Sequence, residues 1–309
     1  MGDFTEDNDG LIWRSTATAQ GHSDQEIKRA VHSGQLLRIW PGVYISAAHR
    51  FTPDGLARLR VVAAVRSCAE AMPVSHQSAA LLHRLPMLQP SYDRVHLTNG
   101  RDGGGRIEPR RHVHSGLLLP GDLTEIDGLA VTTIERTAVD TAQAGTFAQG
   151  LAAFDGALRL DADRERLTTL IDGRRGKRGV GGARRALTCA NPLSESVGES
   201  WSRAQMLACP DIPEPRLQHR FYSADGRFVA RTDFDWGGRL VGEFDGLMKY
   251  GAGSMKPGQT ATDVVIAEKI REDGLRRMGI EVVRWIWADL VNGTLPAILR
   301  QALVRAGLR

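Results

Sequence analysis

The chain of 309 residues has little cysteine, little lysine and no long apolar run. Its three cysteines, Cys68, Cys189 and Cys209, lie far apart and form no C-x-x-C pair, which excludes a zinc ribbon and a disulfide framework. An odd, scattered count fits a reducing cytoplasm. No stretch approaches the roughly 18 apolar residues of a membrane span. The N-terminal Met-Gly-Asp-Phe-Thr-Glu-Asp is acidic where a signal peptide would be basic and then apolar, so a cytoplasmic protein is expected. Lysine occurs only five times, at 28, 177, 249, 256 and 269, against 35 arginines. The net charge of +4 is spread along the chain, and an Arg-rich composition fits a coding bias. Any case for nucleic acid must rest on local placement. With 42% hydrophobic and 25% charged residues, what remains is an ordinary globular composition without internal repeats, long enough for two or three domains.

Composition divides the chain into three segments: 1–50, 51–190 and 191–309. In the first, Leu11–Gln20 reads as a short helix broken by Gly21. Ser23 restarts a helix with Glu26 three residues on, the pattern of a capping box. Ile27, Ala30 and Val31 recur at helical spacing, and the segments around Pro41-Gly42 read as a hairpin. Helix, turn, helix and hairpin are the parts of a winged helix. Lys28, Arg29 and His32 then lie on the exposed face of the second helix and Arg38 on the wing, the disposition of a DNA-binding unit. An ordinary helical hairpin with solvated charges fits the same pattern.

The segment Ser23-Asp24-Gln25-Glu26-Ile27-Lys28-Arg29-Ala30 through Gly42-Val43-Tyr44 resembles the N-terminal domain of AbiEi-type antitoxin regulators. Ser75-His76-Gln77-Ser78-Ala79-Ala80 and Val131-Thr132-Thr133-Ile134-Glu135-Arg136-Thr137-Ala138-Val139-Asp140 are similar to that family's middle region. The resemblance covers about the first 190 residues. It implies DNA binding, usually by an operon autorepressor paired with a nucleotidyltransferase toxin.

The middle segment offers His76, His83, His96, His112 and His114, whose spacings fit no known metal-ligand pattern; most read as core or surface histidines. Arg106, Arg110 and Arg111, near an expected hairpin, and the Gly-punctuated run from Arg174 to Arg185 could touch phosphate. The run itself reads as a linker.

The third segment carries the chemistry. Phe228 to Gly246 reads as two strands meeting at Gly237-Gly238. A two-residue turn mixes acids and apolar residues on both faces. A three-residue turn over 237–239 sets Trp236 opposite Leu240 and Asp233 opposite Glu243. Thr232, Phe234, Trp236, Leu240 and Phe244 then make an apolar face, and Arg231, Asp233, Asp235, Glu243 and Asp245 the other. Facing carboxylates repel and raise one another's pKa, two penalties that a divalent cation removes; a solvated acidic face is the plain alternative. Upstream, Ser196 and Glu199 open a helix with a capping box, and Glu199 can pair with Arg203 at i,i+4. Downstream come Lys249, a helix from about Asp263 and a strand at Ile280–Trp285, giving strand, strand, helix, strand: an α/β core.

Glu199, Asp233-Phe234, Glu243-Phe244-Asp245-Gly246 with Lys249, and Val282-Val283-Arg284-Trp285 resemble the PD-(D/E)XK nuclease superfamily. The nearest branch is the very-short-patch-repair-endonuclease-like group, over about residues 191–300. The resemblance implies a restriction-endonuclease-like fold, with Asp233, Glu243 and Asp245 as acids for Mg²⁺ or Mn²⁺ and Glu199 in support. Asp245 stands where the parent motif has lysine, as is usual in this branch, and Lys249 where the branch usually has histidine. Three of the five lysines (249, 256 and 269) fall within this stretch. Lysine suits orienting water at a site better than arginine does, though chance clustering gives the same pattern. The whole chain is thus expected to be multidomain α/β: a winged helix, a mixed middle domain and a nuclease-like domain. It is either a DNA endonuclease or an antitoxin-like repressor whose nuclease fold is inactive.

Overall fold

The computed structural model describes residues 4–68, 70–246 and 261–308, with backbone only over 261–267. It is a multidomain α/β protein whose chain divides into two compact units: Met1–Leu85 with Gln89–Asp140, and Pro86–Leu88 with Thr141–Arg309. This division falls within the middle segment drawn from composition.

The first unit begins with β1 (Ile12–Trp13), α1 (Arg14–Ala19), α2 (Asp24–His32), β2 (Leu36–Trp40) and β3 (Val43–Ser46). The expected helix from Leu11 starts later. Ile12 and Trp13 pair with Tyr44 and Val43 to make a β1-β3-β2 sheet, and Asp7 accepts from the Leu11 amide at 2.9 Å and Trp13 Nε1 at 2.8 Å. These long-range partners override helical spacing. The Ser23–Glu26 capping box opens α2 as expected. Gly42, at φ +73°, makes the β2–β3 turn, a backbone region closed to most side chains.

Next come α3 (Pro53–Arg66), α4 (His76–Leu82), β4 (Val95–Thr98), β5 (Arg106–Ile107), β6 (Arg111–His114), β7 (Leu123–Ile126), β8 (Leu129–Thr132) and α5 (Ile134–Ala144). Strands β4 and β6 are parallel neighbours in a β4-β6-β5 sheet, and β7 pairs with β8. Leu11, Ile39, Trp40, Val43 and Ile45 share one apolar cluster with Val61, Val62, Val74, Leu97, Val113 and Val131, while Ile12, Ala17, Ile27, Ala30, Leu36 and Tyr44 form a cluster within the first segment itself. The Thr132–Asp140 stretch is a buried polar node. Arg136 bonds Asp140 at 3.1 Å, and Asp122 and the Leu117 carbonyl at 2.9 Å.

The second unit continues with α6 (Phe147–Arg159), α7 (Arg164–Asp172), α8 (Val180–Cys189) and α9 (Val197–Leu207). The Gly/Arg run is no extended linker. Arg184 and Arg185 lie within α8, Arg184 pairs with Asp172, and Arg174 donates to Gln143 at 2.9 Å. Then follow β9 (Arg216–Tyr222), β10 (Phe228–Trp236), β11 (Leu240–Asp245), α10 (Ala261–Arg277), β12 (Glu281–Ile286), α11 (Trp287–Asn292) and α12 (Leu295–Arg305). The sheet order is β12-β11-β10-β9, with β11 and β12 parallel and the other pairs antiparallel. The sequence pattern revealed β10, β11 and β12 but not β9, whose residues Arg216-Leu-Gln-His-Arg-Phe-Tyr alternate weakly.

The β10–β11 register is the one hydrophobic patterning selects: Trp236 faces Leu240 and Phe234 faces Gly242. Phe234, Trp236, Leu240 and Phe244 are buried with Trp285, Leu295 and Leu299 in one cluster. The opposite face is not the uniform solvated surface expected of five charged positions. Val241 on that face is buried with Leu275 of α10, Ala230 and Ile280.

Candidate active site

The acids of β10 and β11 divide according to what covers them. Asp235 is buried beside the turn, where it accepts from Arg216 Nε at 2.7 Å and the Gly238 amide at 2.8 Å. It therefore holds the hairpin end. Arg231 pairs with Glu195 at 2.8 Å. Of the remaining three, Asp233 lies near Glu199 at the start of α9, Glu243 meets arginines of α10 and β12, and Asp245 lies by the β12 arginine.

Glu199 stands at the third position of α9. Ser196 Oγ donates to its Oε1 at 2.8 Å, and the Glu195 amide and Gln218 Nε2 donate to its Oε2 at 2.8 and 3.0 Å. The expected i,i+4 pair does not form, because Arg203 is directed to Asp155 instead. Gln218 also reaches Asp233 Oδ1 at 3.4 Å, and the Phe244 amide donates to Asp233 Oδ2 at 3.0 Å. Burial, and then the neighbouring Asp233 charge, push the Glu199 carboxyl up to about 7.

Glu243 is buried on β11. Its Oε2 accepts from Arg271 of α10 at 2.8 Å and lies 3.2 Å from an Arg284 nitrogen of β12. Arg284 also lies 3.9 Å from Asp245, 3.9 Å from Glu268 and 3.3 Å from Glu272. The parallel β11–β12 pairing sets Glu243 beside Arg284 in register, which fixes this contact. Two linked groups result: Glu199 and Asp233 joined by the Gln218 amide, and Glu243 and Asp245 joined by Arg284.

Of the residues expected at this site, the structure brings Glu199 beside Asp233 and Glu243 beside Asp245. Lys249 lies outside the described residues, as does Lys256, and Lys269 is exposed on α10. Gln218, Arg271 and Arg284 belong to the site; Arg271 and Arg284 lie on the helix and strand that the sequence pattern offers, without a role assigned to either, and Gln218 is not picked out by it. Among the described residues, no three acids bring ligand oxygens within 4.8 Å of one another; the trio that does so consists of histidines. The oxygen donors still fit Mg²⁺, which takes one or two carboxylates and fills its octahedron with water and phosphate oxygens.

One glycine sets the distance between α9 and the sheet. A Cβ on Gly198 would lie 2.0 Å from Phe244 Cε1. Gly198→Ala is therefore expected to push the start of α9, and Glu199 with it, off β11, at about 1–3 kcal/mol or more of stability. Urea unfolding measures this; an unchanged midpoint would mean that the Phe244 ring turns aside freely.

In the first unit, Lys28, Arg29 and His32 are exposed on α2 and Arg38 is exposed on β2, which both a DNA-binding unit and a helical hairpin with solvated charges would give. Arg106 and Arg111 are both engaged by Glu108, at 2.7 and 2.9 Å. Among the described residues no helix is long and apolar enough to cross a membrane.

No protein-family model matches the chain. It is similar to the uncharacterized proteins MT2308 and Rv2248 of two Mycobacterium tuberculosis strains. Each is 26% identical over 295 residues, covering 91% of this chain and 97% of the relative. Among solved structures, the Rv2827c protein from Mycobacterium tuberculosis aligns over 69% of this chain and 83% of its own, with a TM-score of 0.41 and 17% identity.

Proposed function

We propose that the chain is a DNA-binding protein whose second unit is a Mg²⁺-dependent endonuclease of the PD-(D/E)XK type. The observation that supports this most is the set Glu199, Asp233, Glu243 and Asp245, placed between one helix start and one strand pair with Arg271 and Arg284 beside it. Mg²⁺ held by one or two of Asp233, Glu243 and Asp245, with water and phosphate oxygens completing its shell, would supply Lewis acidity at the scissile phosphate and lower the pKa of the attacking water. Gln218 orients Glu199 and Asp233 together through one amide group. Arg271 and Arg284 hold Glu243 in place and add positive charge where a phosphate would lie. Lys249 is the sequence's candidate for stabilising the developing phosphorane charge. Lys28, Arg29, His32 and Arg38 would bring the chain to DNA through phosphate and groove contacts.

A second reading rests on one feature of the same site. Glu243 is already compensated by two guanidinium groups, so its charge needs no ion. On that reading the chain is an AbiEi-like repressor, partnered by a nucleotidyltransferase toxin, whose nuclease fold is inactive. Both readings require DNA binding that weakens steeply with salt.

Incubation with plasmid, single-stranded DNA and RNA separates them, with Mg²⁺ or Mn²⁺ against chelator. The nuclease reading expects cleavage that chelator abolishes and that Glu243→Ala reduces by about two to three orders of magnitude. DNA binding without cleavage of any substrate, and unchanged in Glu243→Ala, would leave the repressor.

A further inference from the structure

Four of the chain's nine histidines meet in the first unit, far in sequence from the carboxylate site. Strands β4 and β6 run parallel with His96 opposite His112 and Thr98 opposite His114. Registered partners and residues two apart share a sheet face, so His96, His112 and His114 are presented together. Their ligand nitrogens all lie within 4.8 Å of one another, and His96 Nδ1 is 2.9 Å from His114 Nε2. His76, the first residue of α4, stacks on His114 with ring centroids 3.5 Å apart, and its backbone sits at φ +51°. A non-glycine residue held there costs of order 1–3 kcal/mol, and such positions cluster at functional sites.

We propose that His96, His112 and His114 form a binding site for a transition-metal ion of the Zn²⁺ class, with His76 packed against it. Two nitrogens bonded to one tetrahedral Zn²⁺ at about 2.05 Å stand about 3.3 Å apart, near the 2.9 Å between His96 Nδ1 and His114 Nε2, and all three ligand nitrogens lie within 4.8 Å of one another. Imidazole is the side chain best suited to Zn²⁺, Ni²⁺ and Cu²⁺, and the hard-cation preference for oxygen keeps Mg²⁺ away. Arg94 opposes a cation here while Asp140 favours one. All three ligands are half-buried, and three histidines leave one position of a tetrahedral ion unfilled, the ligand count of catalytic rather than structural zinc. The site is independent of the nuclease reading.

The test uses the full chain stripped with chelator and then titrated with Zn²⁺. One ion per chain is expected, with X-ray absorption showing nitrogen or oxygen neighbours at about 2.0–2.1 Å, imidazole scattering and no sulfur at about 2.3 Å. His112→Gln with His114→Gln should weaken binding more than about 100-fold, since even the outer partners of metal ligands are worth 10–100-fold. Glu199→Gln with Asp233→Asn should keep the ion. A sulfur shell, no stoichiometric ion, or full binding by the histidine variant would each overturn the proposal. Should that variant fail to fold, the spectrum of the unaltered protein decides.

Discussion

Arg203→Met is expected to lower the unfolding free energy of the second unit by about 3–5 kcal/mol, the cost of breaking a buried ion pair by removing one partner. Asp155 on α6 is fully buried, and Arg203 on α9 is 5% exposed. Arg203 donates to Asp155 Oδ2 at 2.8 Å, Ser200 Oγ donates to the same oxygen at 2.8 Å, and the Asn191 amide donates to Oδ1 at 2.7 Å. Arg203 also reaches the Cys189 carbonyl at the end of α8. With the guanidinium gone, a carboxylate remains in a site whose burial already pushes its pKa up. It would then take up a proton at higher pH, so the loss should shrink in acid. Replacing both partners, as Asp155→Leu with Arg203→Met, should recover most of the stability, because apolar replacement of a buried pair is often neutral or better. Urea unfolding of the two variants decides. A single-variant loss below about 1 kcal/mol would mean that water or a rearranged side chain reaches Asp155. The node fastens the helix that bears Glu199 to α6 and α8, so the single variant should also disturb the carboxylate site.

Glu199→Gln is expected to stabilise the protein above pH 7 and to leave it unchanged near pH 4. In the folded chain this carboxyl titrates at about 7 against 4.5 for an ordinary glutamate, so between those values the native state holds a proton that the unfolded chain has lost. Stability from this group is therefore fully present below about pH 4.5 and is lost as pH rises through 7. At one pKa unit to 1.36 kcal/mol, the loss is on the order of 3 kcal/mol at high pH. The amide variant carries no charge and escapes it. Urea unfolding from pH 4 to 8.5, in chelator, should show the gap between the variant and the unaltered protein opening between pH 5 and 7. A gap independent of pH would show that Glu199 ionises normally. Divalent cation bound beside Asp233 would favour the ionised form and close the gap for the unaltered protein alone. The same titration repeated with Mg²⁺ thus bears on the proposed nuclease without measuring cleavage.

Much of the local structure was legible from short spacings. Ser23 and Glu26 cap α2 because donor and acceptor lie three residues apart, within one helical turn. The three-residue turn at 237–239 followed from where Phe234, Trp236, Leu240 and Phe244 had to point, since a slip of one residue would expose them all. Where a distant strand competed, local pattern failed: Ile12 and Trp13 read as helix but pair with the β2–β3 hairpin.

The sequence by itself determined the hairpin register and the acids that share a strand face, because each depends on residues a few positions apart. The division into two units near Asp140 came from the tertiary structure. Tertiary structure decided what neutralises those acids. Gln218 comes from a strand whose alternation was weak, Arg271 from the helix laid over the sheet, and Arg284 from a parallel neighbour that only a crossover can supply. It likewise gathered His96, His112 and His114, whose sequence spacing matches no ligand motif, by placing β4 and β6 side by side. Charge compensation and metal ligation depend on distance in space, and strand order, which no local spacing encodes, sets that distance.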